Sequence, residues 1–209
     1  CSDAVFYVVM GVILGGRLGY TLFYNFSGFI ADPVSLLRIW QGGMSFHGGL
    51  LGVTVSMWLF ARHKGLKFYS VADNIAVVVP FGLFTGRIGN FINGELWGAT
   101  TTLPWGMVFP TGGPLPRHPS MLYEAVLEGL VLLAILWWYG KKPRPAPSIA
   151  ALFLIVYGVF RFAIEFVRQP DAHLGYLHGT TWFTMGMQLC IPMVIAGVFF
   201  FVLAHRRKA

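Results

Sequence analysis

Six apolar stretches, at about residues 4–24, 48–60, 71–90, 121–138, 148–167 and 181–204, take up more than half of the 209-residue chain. A helix needs about 20 apolar residues to cross the ~30 Å hydrocarbon core of a bilayer. In that core backbone N–H and C=O groups have no water to pair with, so they must be satisfied within the spanning segment. The expectation is an all-α fold: a polytopic helical membrane protein with about six transmembrane helices and short interfacial helices. Residues 1–209 are expected to form a single integral membrane domain. The composition agrees, with 56% hydrophobic and 11% charged residues and a mean hydropathy of +0.67. Such a chain is neither disordered nor an ordinary soluble domain.

The formal charge of +7 would suit nucleic acid, but the positions of the charges argue against that partner. Basic residues gather in three short clusters between or after apolar stretches: Arg62-Lys64-Lys67, Lys141-Lys142-Arg144 and Arg206-Arg207-Lys208. These clusters hold all five lysines and mark the cytoplasmic side by the bias of Lys and Arg toward that face. Two cysteines are too few for a disulfide framework, and Cys190, inside an apolar stretch, reads as packing. The chain opens Cys1-Ser2-Asp3 without an initiator methionine, so a fragment boundary is expected there.

The stretch 85–98, Thr-Gly-Arg-Ile-Gly-Asn-Phe-Ile-Asn-Gly-Glu-Leu-Trp-Gly, directly follows an apolar run. It puts an arginine, two asparagines and a glutamate at or near membrane depth. A charge at the centre of a membrane helix costs at least ~2.5–3.5 kcal/mol, so such groups face an interior and find partners. On a helix Arg87 and Asn90 share a face that Asn93 extends by another turn. Gly94 before Glu95 is placed to end the helix, and Gly98 leaves room for close approach. A buried polar knot is the plainer reading, but four polar groups among four glycines favour a pocket wall for an anion.

Other segments point the same way. Tyr157, Arg161, Glu165 and Arg168 fall within ~80° of one another on a helical wheel, and Arg161 and Glu165 can pair at i,i+4. His47, between Gly42-Gly43 and Gly48-Gly49 at the start of a span, is suited to titrate near neutral pH as a general base. In the first span Gly11, Gly15 and Gly19 form a small-residue stripe for a neighbouring helix. Arg17 lies off that stripe with Tyr20, and a structural role for Arg17 weighs as much as a site role. Glu124 and Glu128 share a face of the fourth span and suit anchoring an arginine from another helix, with Ser120 as N-cap. Asp73 is expected to be a solvated or helix-start charge. His47, Arg87 and Arg161 thus fall at similar depth toward the outer leaflet, on three separate segments.

The run Gly86-Arg87-Ile88-Gly89-Asn90-Phe91-Ile92-Asn93-Gly94-Glu95-Leu96-Trp97-Gly98 resembles the signature of the bacterial prolipoprotein diacylglyceryl transferases. Residues 14–25, 42–50, 116–128 and 157–171 are similar to the same family, so the resemblance covers essentially the whole chain. It implies that residues 1–209 form a transferase domain. The implied activity moves diacylglyceryl from phosphatidylglycerol to the thiol of a lipobox cysteine in a prolipoprotein signal peptide. A thioether forms and glycerol phosphate leaves. Carried over by position, Arg87, Asn90, Glu95 and Gly98 match the signature residues, Tyr157, Arg161 and Glu165 a second essential group, and His47 the proposed base. His47, Arg87 and Arg161 are the expected catalytic residues; Asn90, Asn93, Glu95, Gly98, Tyr157, Glu165, Arg17 and Tyr20 are expected to bind substrate. No cofactor or metal is expected, since no Cys/His cluster offers a site. The family carries seven spans, and its further N-terminal span, with a functional tyrosine, has no match here; the loop at 99–116 is short by comparison.

A small secondary transporter is the alternative, because broken helices and paired intramembrane charges suit one. Against it, the chain shows no internal repeat and its polar groups gather toward one leaflet.

Overall fold

The structure, a computed structural model, describes residues 2–23, 26–38, 46–169, 176–177 and 179–206. Among these there is no β-strand, only isolated bridges such as Gly98 to Arg168. We number the helices α1 (Ser2–Phe23), α2 (Phe26–Ala31), α3 (Phe46–His63), α4 (Phe68–Asn93), α5 (Ser120–Gly140), α6 (Ser148–Ile164) and α7 (Met185–Arg206). A short 3₁₀ turn, Pro33–Leu37, follows α2. Four of them, at Asp3–Leu22, Phe68–Asn93, Ser120–Gly140 and Met185–Arg206, are long and apolar enough to cross a membrane; α6 is apolar but shorter. The all-α polytopic expectation is met, with helices at all six apolar stretches.

The chain divides into two units, Cys1–Val71 and Ala72–Ala209. In the first, α1 packs against α3 with the glycine stripe at the contact. A Cβ added to Gly15 would meet the Gly48 carbonyl and the Gly52 Cα, and one on Gly52 would meet Gly11 and Gly15. Lipid tails are as apolar as leucine, so close backbone packing takes the place of hydrophobic drive between such helices. Arg17 is buried and donates from Nε to the Leu36 carbonyl (3.1 Å) and from Nη2 to the Arg38 carbonyl (3.1 Å). Its guanidinium also lies 6.0 Å from the Tyr20 ring centroid. Asp32 starts the 3₁₀ turn by accepting from the Val34 amide and pairs with Arg38 at 2.8 Å. Of the glycine-rich loop expected at residues 42–49, residues 42–45 lie outside the described residues, and residues 46–49 are already helical as the first turn of α3.

In the second unit α5 lies against α4 where Gly129 meets Phe84; a Cβ on Gly129 would stand 2.7 Å from Phe84 Cβ. Gly158 of α6 and Gly197 of α7 do the same for that pair, against Val194 and Ile155. Outward-facing apolar side chains such as Val78, Trp138 and Ile195 are 65%, 71% and 64% exposed in the absence of lipid. This is the surface a bilayer would cover.

Two expectations need correction. Asp73 is buried (7% exposed), and its Oδ1 accepts from the Ala150 amide at 2.7 Å, so it satisfies an unpaired N–H in the first turn of α6. Ser120 is not an N-cap. It is the first residue of α5, preceded by Pro119, and its hydroxyl donates to the Leu96 carbonyl. Proline suits the start of a helix because its fixed φ and missing N–H cost nothing there, and Ser120 is freed to pin the 94–98 turn.

Candidate functional site

Helix α4 runs to Asn93 and is stopped by Gly94, whose φ of +66° is the left-handed conformation that favours glycine. Beyond it Glu95 turns back, accepting from Asn90 Nδ2 (2.9 Å) and Asn93 Nδ2 (3.2 Å). These two amide donors, Asn90 first, hold the exposed Glu95 carboxyl below its ordinary pKa. Glu95, Asn90 and Asn93 therefore close the helix end on one another. Arg87 approaches this group only through Asn90, its Nη1 lying 3.4 Å from Asn90 Oδ1.

The carboxylate that Arg87 does meet is Glu124 of α5, at 2.5 Å from Nε. Glu124 is 1% exposed and draws three arginines from three places in the chain. Arg161 Nη1 stands 3.3 Å and Arg168 Nη1 3.1 Å from its Oε1. Glu165 closes the far side, with Oε2 2.9 Å from Arg161 Nη2 and 3.7 Å from Arg168 Nε. Thr184, at the head of α7, donates its hydroxyl to Glu165 Oε1 at 3.0 Å and accepts from the Met187 amide. Gly186 lets this happen: a Cβ there would sit 2.7 Å from the Glu165 carboxyl carbon.

The helix ends explain the convergence. Arg161 is in the last turn of α6, while Glu165 and Arg168 lie just beyond it in the turn that leads to the bridge with Gly98. Gly98 is buried, donates to the His118 carbonyl and has the Val167 carbonyl against its α-carbon, so a side chain there would displace both segments. Arg117 completes the join: its guanidinium stacks 3.9 Å from the Trp97 ring centroid and donates to the carbonyls of Gly112 and Gly98 and to Gln169. Tyr157, one turn before Arg161 on the same face, is half-buried and stacks on Phe153 with centroids 5.6 Å apart.

Of the residues singled out in the sequence, the second unit brings Arg87, Arg161, Glu165 and Tyr157 together, with Asn90 at the edge. Asn93, Glu95 and Gly98 shape the turn that frames them. Arg17 and Tyr20 belong to the first unit. His47 is the second residue of α3, and its side chain lies outside the described residues. Sequence reasoning gave Glu124 an anchoring role but left it out of the site, of which it is the hub. It also left out Arg168 and Thr184; the helical stripe through Arg161 already pointed to Arg168.

Three guanidiniums only 14–19% exposed outnumber by one the carboxylates they pair with, Glu124 and Glu165. Such a cluster can hold a monoanion with oxygens in a planar, forked arrangement, which guanidinium donors match. Among the described residues no group of three or more His, Cys, Asp or Glu side chains could hold a metal ion.

The family model for prolipoprotein diacylglyceryl transferase matches residues 1–203. The phosphatidylglycerol–prolipoprotein diacylglyceryl transferase of Methylococcus capsulatus is 58% identical over 208 residues, covering 100% of this chain and 79% of that protein. The protein of the same name from Pseudomonas paraeruginosa is 58% identical, over 100% of this chain and 78% of its own. That from Coxiella burnetii is 55% identical, over 99% and 79%.

Proposed function

Because this chain belongs to the prolipoprotein diacylglyceryl transferase family, and so is an integral membrane enzyme that transfers diacylglyceryl from phosphatidylglycerol to prolipoproteins, we propose that the arginine cluster around Glu124 is its phosphate site. The transporter alternative has no such support. The carrying observation is the convergence of Arg87, Arg161 and Arg168 on one buried carboxylate at the ends of apolar helices. Arg87 and Arg161 grip the phosphodiester, with Asn90, Tyr157 and Glu165 orienting them. Asn93, Glu95 and Gly98 frame the cluster and, with Arg17 and Tyr20 of the first unit, bind substrate, and residues 1–209 act as one transferase domain.

The acceptor is the thiol of a lipobox cysteine in a prolipoprotein signal peptide. The thiol loses its proton to His47, and the thiolate attacks the sp³ glycerol carbon that bears the phosphate. The C–S bond forms as the C–O bond breaks, and the electron pair passes to the departing glycerol phosphate. Charge grows on that oxygen in the transition state, where fixed guanidiniums stabilise it most. We place the basic loops on the cytoplasmic side of the bacterial inner membrane and the arginine cluster toward the outer leaflet.

The test is thioether formation on a lipobox peptide by purified protein in phosphatidylglycerol vesicles. Arg87→Ala is expected to abolish transfer while the protein still inserts, and Arg87→Lys to restore little, because an ammonium lacks the fork. Near-normal transfer by Arg87→Ala would remove Arg87 from the phosphate site.

A further inference from the structure

Glu128 stands one turn from Glu124 on the same helix, two turns in from the Ser120 end of α5. It is 0% exposed, and among the described residues neither of its carboxyl oxygens has a hydrogen-bond partner. Buried polar side chains are satisfied in the great majority of cases, so an exception marks an absent ligand or a functional group. The backbone here is unusual as well: residues Ala125–Val131 form a π-helical stretch centred on Glu128. Such wide turns inside α-helices recur at functional sites.

Charge and depth decide what Glu128 can do. The titratable and charged groups that act on it are Glu124 on its own helix, Arg87 on α4, Tyr157 and Arg161 on α6, Arg168 beyond α6 and Cys190 on α7. A carboxylate at this position would be a buried charge with no hydrogen bond, at a cost of several kcal/mol. It would also cancel the single positive charge that the cluster offers a phosphodiester. The neutral acid avoids both and carries one O–H donor with nothing to receive it. In a phospholipid whose phosphate sits at the arginines, the groups next in toward the bilayer centre are the fatty-acyl ester carbonyls, which are acceptors only.

We propose that Glu128 is a specificity-determining residue whose carboxylic acid donates a hydrogen bond to an ester carbonyl of the bound diacylglyceryl group. This rests on the phosphate-site reading above and deepens it. Arg87, Arg161 and Arg168 fix the lipid by its charge; Glu128 reads the ester linkage one turn deeper and holds the glycerol backbone at a set height. Such fixing matters because a nucleophile must meet its carbon within a few tenths of an ångström of the productive geometry.

The experiment compares diester with diether phosphatidylglycerol, which lacks the carbonyls, by equilibrium binding to the purified protein. The wild type is expected to favour the diester about tenfold, the worth of one buried hydrogen bond. Glu128→Leu should bring the ratio to within about twofold of unity, since no donor remains. That variant has no partner to strand and replaces an orphaned carboxyl with apolar volume, so it is expected to fold. Glu128→Gln, whose amide N–H can still donate, should keep most of the preference. A wild type blind to the linkage, a preference that survives in Glu128→Leu, or one lost in Glu128→Gln as fully as in Glu128→Leu would each overturn the proposal. Infrared spectra add a readout independent of affinity: a protonated-carboxyl C=O band at neutral pH, absent in Glu128→Gln and shifted by diester but not diether lipid. Absence of that band from the wild type also overturns it. Peptide transfer, measured separately, reports on the activity itself, so a protein that discriminates the linkage but forms no thioether would fail the transfer reading and leave Glu128 as a lipid contact.

Discussion

Removing the carboxylate of Glu124 should be the most damaging single change in the second unit. The perturbation is Glu124→Ala, with Glu124→Gln as a near-isosteric control. Arg87, Arg161 and Arg168 are 19%, 15% and 14% exposed and all reach Glu124, which is itself 1% exposed. Without it Arg161 and Arg168 keep Glu165, but Arg87 retains no carboxylate among the described residues. Breaking a buried ion pair from one side costs about 3–5 kcal/mol, because the other charge is left desolvated. Here three cations are left with one anion, so the expected loss is at least ~3 kcal/mol. Equilibrium unfolding in mixed micelles reads it directly, and both variants should be affected, since an amide supplies no charge. An added anion provides the second arm. Inorganic phosphate should stabilise either variant, by about 2.7 kcal/mol at a hundred times that variant's dissociation constant, and by more than it stabilises the wild type at the same concentration. A loss under ~1 kcal/mol, or an equal phosphate response in variant and wild type, would refute the view that Glu124 holds the arginines.

Glu165→Gln should lower transfer more than it lowers protein yield, because Thr184 can still donate to the amide oxygen while Arg161 and Arg168 lose one of the two anions they share; a collapse in yield would make the pair structural. His47→Ala should slow transfer roughly 10²–10⁴-fold with modest change in lipid affinity. Raising the pH should recover part of that loss, since a cysteine thiol ionises near ~8.5, and an unchanged rate would exclude His47 as the base. Glu95 has a folded-state pKa below its ordinary value, so its hold on Asn90 and Asn93 is present at neutral pH and is lost as pH falls through the depressed value. Transfer between pH 6 and 8 should therefore show no titration from Glu95, and Glu95→Gln should leave the shape of that profile unchanged. A profile that does change shape would place Glu95 in the proton chemistry.

The sequence alone carried the helices, because a bilayer leaves the backbone no other choice and ~20 apolar residues cannot be hidden elsewhere. It carried the packing seam on α1, since glycines four apart leave a groove for some neighbour, but not that α3 is the helix that fills it. It carried the Arg161–Glu165 pair, whose spacing is fixed by the helix itself. It also carried the family, through the unbroken run from Gly86 to Gly98. What it could not carry is which distant groups meet. Arg87 and Glu124 are far apart in the chain, and α5 comes close enough to α4 for that pair to form where Gly129 meets Phe84. Asp73 read as solvated because nothing near it in sequence needs an acceptor; its partner is the start of α6, 77 residues away. Glu95 is the anion nearest Arg87 in the chain, yet Gly94 turns it back onto Asn90 and Asn93. Local periodicity sets which face a side chain takes, but a charge in a dry interior is settled by whichever opposite charge the packing of helices delivers to it, and that is a property of the tertiary structure alone.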